Sequence, residues 1–151
     1  MIDRSTDRVT PIRVLVIDDS PDITEMLSYL IGVEPDLECV GCLHSANDLL
    51  ENVQSLRPDV LILDASMPGK APLTALEECA TAFPSLLAIV YSGYDDPSLV
   101  ERVIDAGAWG FVSKREDPDS VVRAIRTVAA GKVAFPDSRL RSAAADPKQE
   151  R

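Results

Sequence analysis

Carboxylates stand where short apolar runs stop. Val14-Leu15-Val16-Ile17 runs into Asp18 and Asp19, and Val60-Leu61-Ile62-Leu63 runs into Asp64. Two further apolar runs end at Ser92 and at Lys114. If each run is a parallel strand, these polar groups arrive at one end of one sheet, where open parallel sheets bind ligands. Two carboxylates about 4 Å apart repel by roughly 4 kcal/mol at an effective dielectric near 20, so a cluster of three calls for a cation or raised pKa values. Mg²⁺ suits such a cluster, because it takes one or two carboxylates together with waters and phosphoryl oxygens. Ser92 adds a hydroxyl donor and Lys114 a fixed cation. The simpler alternative is that Asp18 and Asp19 only end a strand and cap the next helix. Asp64 weighs against it: it follows four apolar residues and precedes the turn-forming Ala65-Ser66-Met67-Pro68-Gly69.

The elements that must position these groups alternate short apolar runs with longer amphipathic segments, the pattern of parallel strands with helical crossovers. Strands are predicted over residues 12–17, 37–42, 60–63, 86–91 and 110–112, and helices over 21–31, 46–56, 73–83, 98–106 and 119–130. Ser20 followed by Pro21 suits an N-cap with proline in the first turn, and Gly32 and Gly131 suit helix ends. The last helix shows its apolar face in Val121, Val122, Ile125, Val128 and Ala129, spaced to pack on a sheet. The predicted fold is α/β, a flavodoxin-like doubly wound sheet of five parallel strands in the order 2-1-3-4-5. That order makes the first and third strands neighbours and brings Asp18, Asp19 and Asp64 together.

The chain of 151 residues fits one domain, expected over residues 12–132. Residues 1–11 are expected to be a disordered segment, and 133–151 a mostly mobile extension. Its longest apolar run is far shorter than a membrane span, and the first ten residues lack the apolar core of a signal peptide. The expected location is the cytoplasm, with no membrane partner. A formal charge of -10 opposes direct nucleic-acid binding by this chain, since such affinity rests on Lys and Arg displacing counterions. Cys39 and Cys42 form a C-x-x-C within a predicted strand, not at the helix start that redox motifs use. Three residues apart on a strand, they are expected to face opposite sides as inert thiols, and Cys79 is expected as a small apolar residue on a helix face.

Four motifs in order carry a family resemblance: Val16-Ile17-Asp18-Asp19-Ser20, Leu63-Asp64-Ala65-Ser66-Met67-Pro68-Gly69, Tyr91-Ser92-Gly93, and Gly107-Ala108-Trp109-Gly110-Phe111-Val112-Ser113-Lys114. Over roughly residues 12–130 the chain resembles the receiver domain of bacterial two-component response regulators, the CheY-like family. The resemblance implies that Asp64 accepts a phosphoryl group from the phosphohistidine of a sensor histidine kinase or phosphotransfer protein. It also implies a Mg²⁺ held by Asp18, Asp19, Asp64 and the backbone carbonyl of Ser66. Lys114 and Ser92 would each take a phosphoryl oxygen, and Ser92 and Phe111 would form the switch. In the resembling proteins the aromatic at the Phe111 position moves inward as the hydroxyl moves toward phosphate. Ser66 and Tyr94 occupy positions that tune phosphoryl lifetime, and together suggest partial shielding. The implied protein is not an enzyme in the ordinary sense, catalysing only its own phosphorylation and dephosphorylation, with its output a change in protein contacts.

Lys114 is followed by Arg115-Glu116-Asp117 in place of the proline common after this lysine. Ala129-Ala130-Gly131-Lys132 is similar to receivers fused to LuxR-type helix-turn-helix domains, yet no such domain follows here. Two readings stand: a single-domain regulator, or a receiver cut from a longer chain. Trp109 offers a partner anchor if exposed, and otherwise packs against the fourth helix. His44 is expected in a loop after the second strand. A homodimer through the fourth-helix, fifth-strand, fifth-helix face or the first-helix, fifth-helix face is left open, as is the output partner. Two other functional classes are the alternatives: a phosphorylation-independent protein-binding module, and a small aspartyl-phosphate phosphohydrolase. The latter wants Asp-x-Asp and a cap over the substrate, whereas Asp18 and Asp19 are adjacent.

Overall fold

The elements follow in strict alternation: β1 (Ile12–Ile17), α1 (Pro21–Gly32), β2 (Leu37–Leu43), α2 (Leu49–Leu56), β3 (Val60–Leu63), α3 (Pro72–Ala82), β4 (Leu87–Ser92), α4 (Pro97–Asp105), β5 (Gly110–Ser113) and α5 (Asp119–Ala129). The computed structural model describes residues 10–67 and 69–136. All strand pairs are parallel and the order is β2-β1-β3-β4-β5, the flavodoxin-like order predicted from the sequence.

Both faces of the sheet are covered, which is why the central strands read as continuous apolar runs. Leu15, Ile17, Leu61, Leu63, Ala88, Val90 and Phe111 share a core with Leu49 and Val53 of α2, Leu76 of α3 and Val103 of α4. Val14, Val16, Val60, Ile62, Ile89, Tyr91 and Val112 share the other with Leu27 and Ile31 of α1 and Val121, Ile125 and Val128 of α5. Local chemistry sets the helix ends. Ser20 Oγ accepts from the Ile23 N–H (3.3 Å) at the start of α1, as its N-cap position predicts. Arg13 Nη2 and Nε donate to the carbonyls of Leu56 and Arg57 (2.6 and 3.2 Å), placing a cation where the dipole of α2 is negative.

Four places differ from the sequence expectations. First, α2 begins at Leu49 and not at Ala46: Asp48 is the N-cap, with a non-helical φ of -114° and ψ of 33°, and in the turn before it Asn47 Oδ1 accepts from the Lys70 N–H (2.9 Å). Second, Cys39 and Cys42 do not face opposite sides. Val14 pairs with Cys39 and Leu15 with Gly41, so Val40 is an extra residue in β2, and this bulge returns both thiols to the α1/α5 face. Third, the chain still touches the sheet past residue 132. Ala134 forms a parallel bridge to Gly110, and Ala134 and Phe135 pack on the two cores. Fourth, Trp109 is neither an exposed anchor nor packed on α4; half-buried, it packs with the α1/α5 core. The expectations for residues 1–9 and 137–151 lie outside the described residues.

Candidate functional site

Register brings the polar groups level. Ile17 pairs with Leu63, so Asp18 and Asp64 leave the sheet side by side, and the Asp64 N–H donates to the Ile17 carbonyl (2.9 Å). The Lys114 N–H donates to the Ser92 carbonyl (2.7 Å), tying the lysine to the end of β4.

The same local device ends each of these strands. Asp18 Oδ1 accepts from the Ser20 N–H (2.9 Å), Asp64 Oδ1 from the Ser66 N–H (3.0 Å), Ser92 Oγ from the Tyr94 N–H (3.0 Å) and Ser113 Oγ from the Arg115 N–H (3.1 Å). Short polar side chains that bond the backbone two residues ahead turn the chain out of the strand. For both aspartates one carboxylate oxygen is thus committed to the turn, and Oδ2 is the oxygen presented to the site.

Lys114 Nζ lies 2.8 Å from Asp18 Oδ2 and 3.5 Å from Asp64 Oδ2. The closer contact is an ion pair off the hydrogen-bonding direction, and among the described residues Asp18 Oδ2 is the buried side-chain oxygen with no directed donor. Burial pulls the Lys114 ammonium down, but the two carboxylates outweigh it and hold its pKa above the ordinary lysine value. Asp64, 4% exposed, is pushed up mainly by burial, with further repulsion from Asp18 and Asp19 set against the Ser66 N–H and Lys114. Tyr91 forms one wall, its ring centroid 5.6 Å from Lys114 Nζ, within cation–π range.

One oxygen from each of Asp18, Asp19 and Asp64 lies within 4.8 Å of the others, with Asp19 exposed and the other two buried. This all-oxygen donor set and the undirected Asp18 oxygen fit a hard divalent cation. Beside Asp64, a cavity of about 190 Å³ is lined by Ser66, Ser92, Tyr94, Asp96, Leu99 and Arg102. Ser92 is fully buried and Tyr94 is 66% exposed, so Tyr94 borders the cavity without sealing it. Phe111, 2% exposed, is already inside the core. The sequence reading missed Tyr91 and Arg102 as walls. Tyr91 was legible as the residue before the strand-end serine, whereas nothing in the periodicity of α4 distinguishes Arg102 from an ordinary exposed charge.

A doubly wound sheet that gathers carboxylates, a lysine and a hydroxyl at its carboxyl edge defines a receiver-type signalling domain. Residues 14–126 match the response regulator receiver domain, and the chain belongs to that family. It is 38% identical over 120 residues to the transcriptional regulatory protein UhpA of Salmonella typhimurium, a match covering 80% of this chain and 60% of that protein. The chain therefore spans less than two thirds of that relative's length. It resembles the isolated REC domain of RcsB from Salmonella enterica serovar Typhimurium, solved with the phosphomimetic BeF₃⁻, with a TM-score of 0.79, 27% identity, and coverage of 87% of this chain and 98% of that one. A LuxR-family response regulator from Aurantimonas shares the fold, with a TM-score of 0.83 at 22% identity, covering 91% of this chain and 99% of that one. What the match shows of this chain is a response regulator receiver domain over residues 14–126. Among the described residues no helix is long and apolar enough to cross a membrane.

Proposed function

We propose that Asp64 accepts a phosphoryl group from a phosphohistidine of a sensor histidine kinase or phosphotransfer protein, and that the aspartyl phosphate changes the contacts this domain makes. The observation that carries this reading is the arrangement around Lys114: its ammonium faces Asp18 Oδ2 and Asp64 Oδ2 together, while the other oxygen of each carboxylate is held by its turn. Phosphoryl transfer needs mostly positioning and neutralisation of charge. Asp64 Oδ2 is the attacking oxygen; the P–N bond of the donor breaks as the P–O bond forms, and the imidazole leaves and takes up a proton. Lys114 holds one phosphoryl oxygen. The Ser92 hydroxyl, whose oxygen accepts from the Tyr94 N–H, has its proton left to donate to another.

Asp18, Asp19, Asp64 and the Ser66 backbone carbonyl would hold Mg²⁺, which when bound neutralises the carboxylates and the transferring phosphoryl group. Ser66 and Tyr94, bordering the cavity beside Asp64, set water access and so the lifetime of the phosphoryl group. Phe111, buried in the core on β5, is the aromatic partner of Ser92 in the switch.

Intact-protein mass after incubation with acetyl phosphate tests this, with and without Mg²⁺, on the natural chain and on Asp64→Asn. The expected result is a Mg²⁺-dependent, base-labile phosphoryl adduct that Asp64→Asn lacks. An adduct of equal yield on Asp64→Asn would place the acceptor elsewhere.

A further inference from the structure

Arg102 stands beside the site with its charge uncommitted. It lies on α4 three residues after the buried Leu99, on the same side of the helix, and both residues line the cavity beside Asp64 together with Ser66, Ser92 and Asp96. Among the described residues the guanidinium makes no hydrogen bond and no ion pair. Its field reaches Asp96, whose carboxyl is held below the ordinary range first by the Ser98 hydroxyl and to a smaller extent by Arg102. Asp96 is itself tied to the start of α4, where it accepts from the Leu99 N–H (3.3 Å), so it does not capture the arginine. On its other side Arg102 lines a second cavity, of about 280 Å³, with Glu77 and Asp105. Carboxylates thus surround the guanidinium without pairing to it. Lys114, by contrast, is already committed to Asp18 and Asp64.

We infer that Arg102 is a second cation of the phosphoryl site, whose guanidinium turns into the cavity and takes the phosphoryl oxygen that Lys114 and Ser92 leave over. The inference rests on the function proposed above and adds a residue to it. Charge is the reason a further cation is needed. The carboxylate of Asp64 carries one negative charge and an aspartyl phosphate about two, beside Asp18 and Asp19 in a chain of net charge -10. Lys114 answers charge that is present before transfer, so the added charge has no partner in the cluster. Arg102 can supply one, because a guanidinium stays protonated and bonds phosphoryl oxygens through a planar fork. The cavity places it correctly: Ser92 and the Ser66 turn form the wall next to Asp64, and α4 presents Arg102 at another wall. Tyr94, 66% exposed, does not seal the cavity. An arginine laid across the phosphoryl group therefore also stands in the path of water and lengthens the life of the adduct.

Titration of the full chain with beryllofluoride as the phosphoryl mimic, in Mg²⁺ and read by ¹⁹F NMR, tests it. Arg102→Gln should weaken binding of the mimic by about tenfold, the order expected for one charge-assisted bond, and shorten the life of the acetyl phosphate adduct several-fold. Arg102→Lys, which keeps the charge and loses the fork, should recover part of both. Arg57→Gln removes the same charge at the opposite end of β3 and should change neither. In the natural chain the Arg102 Nε–H signal should shift, and its exchange with water should slow, as the mimic binds; a merely structural role for Arg102 would leave that signal where it was. Equal affinity in Arg102→Gln and the natural chain, equal weakening by Arg57→Gln, or an unmoved Nε–H signal would overturn the inference while leaving the phosphoryl acceptor in place. Absence of any bound ¹⁹F resonance in the natural chain would instead remove the acceptor reading itself, and the second cation with it.

Discussion

Lys114 Nζ and Asp18 Oδ2 are 2.8 Å apart, and this pair occupies an oxygen that a divalent cation would use. On the proposed function, lysine and metal would compete for Asp18 until a phosphoryl group took the lysine. Lys114→Ala should bind Mg²⁺ more tightly, by several-fold, because a fixed positive charge has left the cluster. The same variant should accept phosphoryl groups about 10²-fold more slowly, the usual order of loss when one charge-stabilising donor goes. Calorimetric Mg²⁺ titration and the rate of adduct formation check the two halves separately.

Burial, with two neighbouring carboxylates adding to it, raises the pKa of Asp64 above the ordinary carboxylate value. Its folded pKa lies above the unfolded value, so the stabilising contribution belongs to the protonated form, is complete below the unfolded pKa, and disappears as pH rises through the folded pKa. Asp64→Asn should then be more stable than the natural chain at pH 7 without Mg²⁺, by about 1–3 kcal/mol given the Coulomb repulsion at these separations. The difference should shrink below pH 4 and on addition of Mg²⁺. Urea unfolding at several pH values measures it.

Gly69 has a φ of +90°, and a Cβ there would meet Asn47 Oδ1 at 2.8 Å. That oxygen already accepts from the Lys70 N–H. Gly69→Ala is expected to cost about 1–3 kcal/mol through left-handed strain and the contact, and Asn47→Ala about 1 kcal/mol through the lost bond. The double variant should cost less than the sum, because removing Asn47 relieves the clash; chemical denaturation of the four proteins gives the coupling.

Burial raises the thiols of Cys42 and Cys79 to about 11, Cys42 with an added push from Cys39. At pH 7.5 their thiolate fractions are on the order of 10⁻³ or less. Iodoacetamide should leave both unmodified in the folded protein under conditions that alkylate them fully in urea, as peptide mass mapping would show.

The strands, their order and the acidic cluster were legible because each depends on local signals: apolar runs that stop at a carboxylate, and helices long enough to cross over. What was not legible depends on contacts far apart in the chain. The turn before α2 is tied by Asn47 Oδ1 to a backbone amide 23 residues away, a contact that no helical periodicity reports. The bulge at Val40 escaped notice because residues 37–43 are apolar or small almost throughout, so an extra residue leaves no mark on the pattern. Phe135 sits in a polar stretch and looks like part of a tail; only Gly110, lacking a Cβ at the sheet's far side, makes its docking possible.

The bulge in β2 has a consequence for crowded solutions. β2 is the outermost strand on its side of the sheet, and a regular outer ladder would offer its free amides and carbonyls to any other chain. An extra residue bends such a strand and breaks the spacing a partner would need. Val40 thus acts as a guard against intermolecular strand pairing, and a chain from which it is deleted would be expected to self-associate as concentration rises while keeping its fold.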